Sequence, residues 1–154
     1  RRILIKNKPE IFGHQYIIDE NDEVCGEEEN LLINATDITL EEAKEAVLSR
    51  GGVCYPAHID RTSNGIVAAL GVFPEDIGYT AYELNNAASV SEYEKRFPFL
   101  KNLPRAVSSD AHNLWSISEA EFSIPIDDEP YSSSLVRNRL IDYLLGIGRS
   151  GGNG

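Results

Sequence analysis

Apolar residues recur at helical spacing between residues 39 and 50, which predicts an amphipathic α-helix. Residues 39–42 (TLEE) form a capping box, in which the Thr39 hydroxyl and the Glu42 carboxylate each satisfy a free backbone N–H. Gly51 fits the left-handed residue that follows many helices. Weaker patterns predict further helices over residues 65–70, from Ser89 or Ser91 to Arg96, and over 133–145.

Short apolar runs between these helices predict strands. Runs at 53–57, 81–84 and 105–108 read as core strands, and 121–124 reads as an edge strand because Pro125 follows it. Two further runs, 15–18 and 24–26, flank a polar turn and predict a hairpin.

The alternation of strands and helices predicts an α/β fold with a mainly parallel sheet. We expect one domain over residues 1–145, with the hairpin as an insertion at about 12–34, and a flexible Gly-rich tail over 146–154.

Composition narrows the function classes. The 154-residue chain has a net charge of −11, which disfavours general nucleic-acid binding because that requires lysine and arginine along the phosphates. No apolar run approaches the roughly 20 residues that span a membrane. Cys25 and Cys54 form no spaced motif, and apolar surroundings predict that both are buried free thiols in a reducing, cytoplasmic protein.

Two of the three histidines lie just past the ends of predicted strands. His58 follows the run 53–57, and His112 follows 105–108 by a few residues. Ligands bind at the carboxyl ends of parallel strands, so both histidines are expected to face one pocket. Asp110 precedes His112 by two residues, and imidazole plus carboxylate suits zinc, manganese or iron. For the spacing of Asp110 and His112 alone, a solvated aspartate beside a surface histidine is as common as a metal-binding pair. His58 also lies just past a predicted strand, and this matching position favours the metal site.

Three nearby charged residues have open roles. Arg61 is a candidate for binding a substrate phosphate, and an ion pair with Asp60 or Asp76 is the equal alternative. Glu83 ends a predicted strand. Two interpretations stay open for it: a hydrogen-bond partner of a metal ligand, or a plain charge at the end of the strand. His14 reads as a surface histidine.

Two motifs carry a resemblance to a known family. Residues 51–61 (GGVCYPAHIDR) and 106–112 (AVSSDAH) resemble late motifs of the PHP (polymerase and histidinol phosphatase) superfamily. The stretch from residues 7–13 through residues 34–37 resembles a segment of one bacterial subfamily of PHP phosphoesterases. The resemblance covers about residues 7–145.

The resemblance implies a partial distorted (β/α) barrel and a metal-dependent phosphoesterase. In this family divalent zinc, manganese or iron ions activate water against a phosphate ester. The matching positions imply His58, Asp110 and His112 as metal ligands, with a small phosphorylated metabolite or a nucleotide as the substrate.

The early histidine motifs of the family are missing from this sequence. The resemblance therefore implies the C-terminal portion of a PHP domain, weakly active or inactive by itself. Its partners would be the missing N-terminal part, another chain that supplies ligands, or a second copy paired through exposed sheet edges. The alternative is a non-catalytic interaction or regulatory module with a remnant metal site.

Overall fold

The computed structural model describes residues 4–120 and 122–148. The chain divides into two compact units, the first ending at Thr39 and the second beginning at Leu40. Within the described residues, no helix is both long enough and apolar enough to cross a membrane. The described α-helices are α1 (Pro9–Phe12), α2 (Leu40–Leu48), α3 (Ile66–Leu70), α4 (Val90–Arg96) and α5 (Ser133–Leu144), with short 3-10 turns between several of them.

The first unit contains the predicted hairpin. Strand β1 (Tyr16–Ile18) pairs antiparallel with β2 (Val24–Glu27), and the register shifts between Ile17 and Ile18. The Asp19 carboxylate closes the turn, because it accepts the backbone N–H groups of Asn21 and Glu23 at 2.8 and 3.0 Å. The same two bonds lower the pKa of the Asp19 carboxyl group, since they stabilise its charged form.

Helix α2 opens the second unit where the capping-box sequence predicts it. The chain leaves the helix through Gly51, whose φ of +74° suits a residue without a β-carbon. The Gly51 N–H donates to the Leu48 carbonyl at 3.0 Å and satisfies one of the free carbonyls at the helix end. Lys44 then fastens the helix to a later loop, since its ammonium donates to the Gly78 carbonyl at 2.8 Å.

A parallel pair of strands forms the centre of the second unit. Strand β3 (Tyr82–Leu84) pairs with β4 (Arg105–Val107), with Tyr82 opposite Arg105. On its other edge β3 bonds to residues 56–59: the Glu83 N–H donates to the Pro56 carbonyl at 3.1 Å, and the Ile59 N–H donates to the Glu83 carbonyl at 2.9 Å. Three stretches of chain therefore lie side by side.

Two predicted strands are not formed as such. Residues 53–57 carry no regular strand, because Pro56 has no N–H and the stretch bonds to β3 only around Glu83. Residues 122–124 are also not a strand, and Glu121 lies outside the described residues. No barrel closes within the described residues, where the sheets are one antiparallel and one parallel pair. The partial barrel of the PHP type stays a prediction.

Other details also differ from the sequence-based expectation. Cys25 is exposed and Cys54 is half-buried, so the prediction of two buried thiols is wrong. Cys25 lies on a two-stranded hairpin, which has no third layer to cover it. Helix α5 starts as predicted, with the Ser132 hydroxyl accepting the Leu135 N–H at 3.1 Å. Of the predicted flexible tail, residues 149–154 lie outside the described residues.

An aromatic-rich core fills the second unit. Phe73 packs edge-on against Phe99 at a centroid distance of 5.3 Å and against Tyr79 at 6.2 Å. Strand β3 lies at the centre of this core, since its residues Tyr82 and Leu84 are fully buried. The buried members of this cluster are Ile59, Val67, Phe73, Ile77, Tyr79, Tyr82, Leu84, Phe97 and Leu100.

We expect truncation of the core to cost more than the same truncation at the surface. Leu100→Ala should lower the free energy of unfolding by about 2–5 kcal/mol, because Leu100 is 0% exposed and a cavity would remain. Leu114→Ala is the matched control: Leu114 is 79% exposed, and the change should stay within about 0.5 kcal/mol. Urea denaturation measures both, and equal losses would contradict this description of the core.

Stability should also fall at high pH through Tyr82. Burial, and secondly the negative charge of Glu94, raise the pKa of Tyr82 from 10.0 to about 12. Below pH 10 this contribution is fully present, and it is lost as the pH rises towards 12, because the unfolded chain ionises first. Tyr82→Phe should therefore show a flatter loss of stability between about pH 10 and 12 than the wild type. Tyr131→Phe, at a position 77% exposed, should leave the wild-type slope unchanged.

Candidate functional site

The segment that follows residue 55 brings His58 to the end of β3. Ile59 is fully buried and bonds to the Glu83 carbonyl, so its neighbour His58 is held next to the sheet. The His58 backbone N–H donates to the Glu83 carboxylate at 3.2 Å, and its φ of +31° is unusual for a residue with a side chain. Glu83 thus anchors the loop that carries His58.

Glycine is required beside this loop. A β-carbon on Gly65 would lie 2.9 Å from the His58 carbonyl oxygen, closer than real contacts allow. The absence of a side chain at Gly65 lets the start of α3 approach His58. The Nδ1 atom of His58 is buried and has no hydrogen-bond partner within the described residues. Such an unpartnered buried nitrogen is uncommon in proteins.

Asp60 joins this loop to the loop after β3. Its two carboxylate oxygens accept the backbone N–H groups of Asn85 and Asn86 at 2.7 and 2.9 Å. Hydrogen bonds to a charged acceptor are about twice as strong as neutral ones. The half-buried Asp60 therefore has a structural partner on each oxygen and is not the ion-pair partner that the sequence suggested for Arg61.

Asn85 continues the connection to the loop after β4. Its side-chain amide donates to the carbonyls of Ser108 and Ser109 at 3.1 and 2.8 Å. Asp60 and Asn85 together link three loops, each of which follows one of three adjacent extended stretches. A polar cavity of about 130 Å³ lies against Asn85, bordered also by Glu119 and Phe122.

Asp110 and His112 lie on the third of these loops. Asp110 has a φ of +50°, and its carbonyl oxygen lies 2.7 Å from Nδ1 of His112. When Nδ1 carries the proton, it donates to this carbonyl and leaves Nε2 with a free lone pair. This arrangement is the one that orients many metal-binding histidines.

Arg61 contacts Asp110 directly. The guanidinium forms an ion pair with the Asp110 Oδ2 atom, across 49 residues of sequence. This partner is neither of the two aspartates considered from the sequence, and it places the loops of His58 and Asp110 next to each other. The exposed fractions of the two side chains are 40% and 28%, so solvent and ligands reach the pair.

The remaining candidates have simpler surroundings. His14 lies in the first unit, where it stacks on Tyr16 and bonds to the Glu27 carboxylate at 2.8 Å, as expected of a surface histidine. Burial, and secondly the negative charge of Glu83, raise the pKa of Tyr55. The Glu83 carboxylate accepts the His58 backbone N–H, which places this strand-end charge beside a candidate ligand.

The donor types fit a divalent cation, and the unpartnered Nδ1 of His58 is the observation that favours one. Carboxylate and imidazole donors also stand on the Asp110 loop. However, no group of three His, Cys, Asp or Glu side chains that could hold an ion is present among residues 4–120 and 122–148. The candidate ligands of a metal ion therefore lie apart from one another in the structure, and the Asp110 carboxylate is paired with Arg61.

Comparison of the chain with models of protein families, with curated proteins and with solved structures finds no match to any of them. The resemblance to the PHP superfamily therefore depends on the two sequence motifs alone.

We expect the link through Asp60 to hold the site loops together. Asp60→Ala removes the acceptor of two backbone N–H groups and should lower the free energy of unfolding by about 2–4 kcal/mol. Asp60→Asn keeps an acceptor oxygen and should cost less. The exposed Asp76 provides the control, since Asp76→Ala should change stability by less than about 0.5 kcal/mol. Equal effects of Asp60→Ala and Asp76→Ala in urea denaturation would refute the link.

Proposed function

We propose that this chain forms part of a metal-dependent phosphoesterase of the PHP type. The observation that carries the proposal is the meeting of the two motif loops. Arg61 follows the extended stretch on one edge of β3, Asp110 follows β4 on the other edge, and the two side chains are in contact. Ligands of parallel α/β folds bind at the carboxyl ends of the strands. In the proposal His58, Asp110 and His112 bind the metal, and Arg61 binds the substrate phosphate.

Each of these residues has a distinct task in the proposed site. A bound zinc, manganese or iron ion would supply an activated water and neutralise phosphate charge. Asp110 would provide carboxylate oxygens, and His112 would present Nε2 because the Asp110 carbonyl holds its other nitrogen. Arg61 offers a planar guanidinium, which matches two oxygens of a phosphate group. The substrate is a small phosphorylated metabolite or a nucleotide.

The proposed site is incomplete within these residues. Three donors on two loops suffice at most for one cation, and the described residues do not gather all three into one group. We propose that further ligands come from another segment or chain, and that the chain by itself hydrolyses phosphate esters weakly or not at all. An acidic chain with a net charge of −11 still favours cations near its surface.

One observation favours a second candidate, a non-catalytic module with a remnant metal site. The Asp110 charge is already compensated by Arg61, so the pair can persist as a structural contact without any metal. The two candidates differ in metal binding: the first requires that His58 and His112 bind an ion, and the second does not.

Histidine substitutions test the first candidate. Mn²⁺ or Zn²⁺ binding, followed by calorimetry, should weaken at least about tenfold in His58→Ala and in His112→Ala. His14→Ala is the matched control and should bind like the wild type, because His14 lies in the other unit with Glu27 as its partner. Trp115 is the sole tryptophan, 89% exposed and three residues after His112, so its fluorescence provides a second reading.

The outcomes separate the candidates. Metal affinity that is equal in the wild type, His58→Ala and His112→Ala would refute the metal site and favour the non-catalytic module. Hydrolysis of p-nitrophenyl phosphate by the purified chain with added Mn²⁺, lost in His112→Ala, would show that the site is complete enough for catalysis and would contradict the expectation of weak activity.

A further inference from the structure

The ion pair between Arg61 and Asp110 joins two residues that have opposite tasks in the proposed site. Asp110 is the carboxylate for a cation, and Arg61 is the guanidinium for a phosphate. In the structure each compensates the charge of the other. Within the described residues, the Arg61 side chain has no other hydrogen-bond partner. A phosphate and the Asp110 carboxylate are both anions, so the charge of Asp110 beside the guanidinium opposes the binding of a phosphate to Arg61.

We propose that Asp110 is an internal competitor that masks Arg61, so that a phosphate group binds strongly only after Asp110 has been drawn away by a cation. The inference depends on the proposed function and adds an order to it: cation before phosphate. Both side chains are partly exposed, which supports this exchange of Asp110 for a phosphate, because a ligand can reach either partner without opening the core. The neighbouring Asp60 does not pair with Arg61 in the structure, and its two carboxylate oxygens accept the backbone N–H groups of Asn85 and Asn86 instead.

The backbone favours an exchange of partners over a movement of the loops. Asn85 ties the loop of Asp110 to the sheet through the carbonyls of Ser108 and Ser109. Asp60, the residue before Arg61, is tied to the loop after β3 because its carboxylate accepts the Asn85 N–H. Both ends of the ion pair thus start from anchored backbone, and a rotation of side chains is sufficient to separate them. Ligand binding needs no rearrangement of the fold.

The masking is tested on the metal-free protein with inorganic phosphate. In the presence of a chelator, Asp110→Asn should bind phosphate about two- to fivefold more tightly than the wild type, as expected from the strength of partly exposed ion pairs. The substitution keeps the shape of the side chain and removes its charge. Glu119→Gln is the matched control: it removes one negative charge beside the cavity at Asn85 and leaves the partner of Arg61 in place, so its phosphate affinity should equal that of the wild type.

A double substitution shows whether the gain acts through Arg61. Arg61→Gln combined with Asp110→Asn should lose the tighter phosphate binding of Asp110→Asn. If Asp110→Asn binds no more tightly than the wild type, or if the double variant retains the gain, the masking proposal is wrong. An equal gain in Glu119→Gln would also overturn it, because the effect would then be one of net charge alone.

Added Mn²⁺ separates this inference from the proposed function. In the wild type Mn²⁺ should raise the phosphate affinity, and in Asp110→Asn it should have little further effect. If Asp110→Asn unmasks Arg61 but Mn²⁺ changes nothing in the wild type, masking stands while cation-driven release and the proposed metal site fail. If Mn²⁺ binds at His58 and His112 but Asp110→Asn shows no gain, the metal site stands and masking fails.

Discussion

Strand β3 is hydrogen-bonded along both of its edges, and the candidate site depends on this pairing. Tyr82 and Leu84 bond towards β4, while Glu83 bonds towards residues 56–59. Full burial of Tyr82 and Leu84 fixes the strand within the core. The loops that follow the three stretches consequently leave the sheet at the same end, where His58, Asn85 and Asp110 lie on consecutive loops. The hydrophobic core thus determines which polar residues can meet.

Two carboxylates at this end are stabilised in different ways. Asp60 is held by two backbone N–H groups, which can move away from it only if the backbone of their loop changes conformation. Asp110 is held by a long arginine side chain, which reaches it through several rotatable bonds. A structural role suits the first arrangement, and a binding role suits the second. The site therefore combines a fixed frame with an exchangeable contact.

The sequence predicted the elements whose signals are local. Helix α2 has its capping box and Gly51, and the hairpin has two apolar runs around a polar turn. The run at 53–57 was misleading, because a short apolar stretch can be buried without full strand pairing, and Pro56 removes one donor. The two motifs indicated which loops matter, and the structure places Arg61 and Asp110 in contact.

The hydrogen bonds of Asp60 and Asn85, which link the three loops, could not be predicted from the sequence. Asp60 and Asn85 lie 25 residues apart, and the sequence does not show that their two loops meet. A polar pair directly after a predicted strand, such as Asn85-Asn86, was the available signal for a residue at a strand end. The partner of Arg61 was similarly hidden, because an arginine can reach several aspartates and only the folded chain selects one.

The first unit has a different thermodynamic character from the second. None of the side chains between residues 4 and 39 is buried, and Tyr16, Ile18 and Val24 are each more than half exposed. This region is held by backbone pairing and by polar contacts such as those of Gln15 with the carbonyls of Glu28 and Asn30. Apolar exposure on unfolding produces most of the heat-capacity change of a protein. Opening of residues 4–39 would consequently absorb heat with little change in heat capacity, and the heat-capacity change on unfolding would come mainly from the second unit.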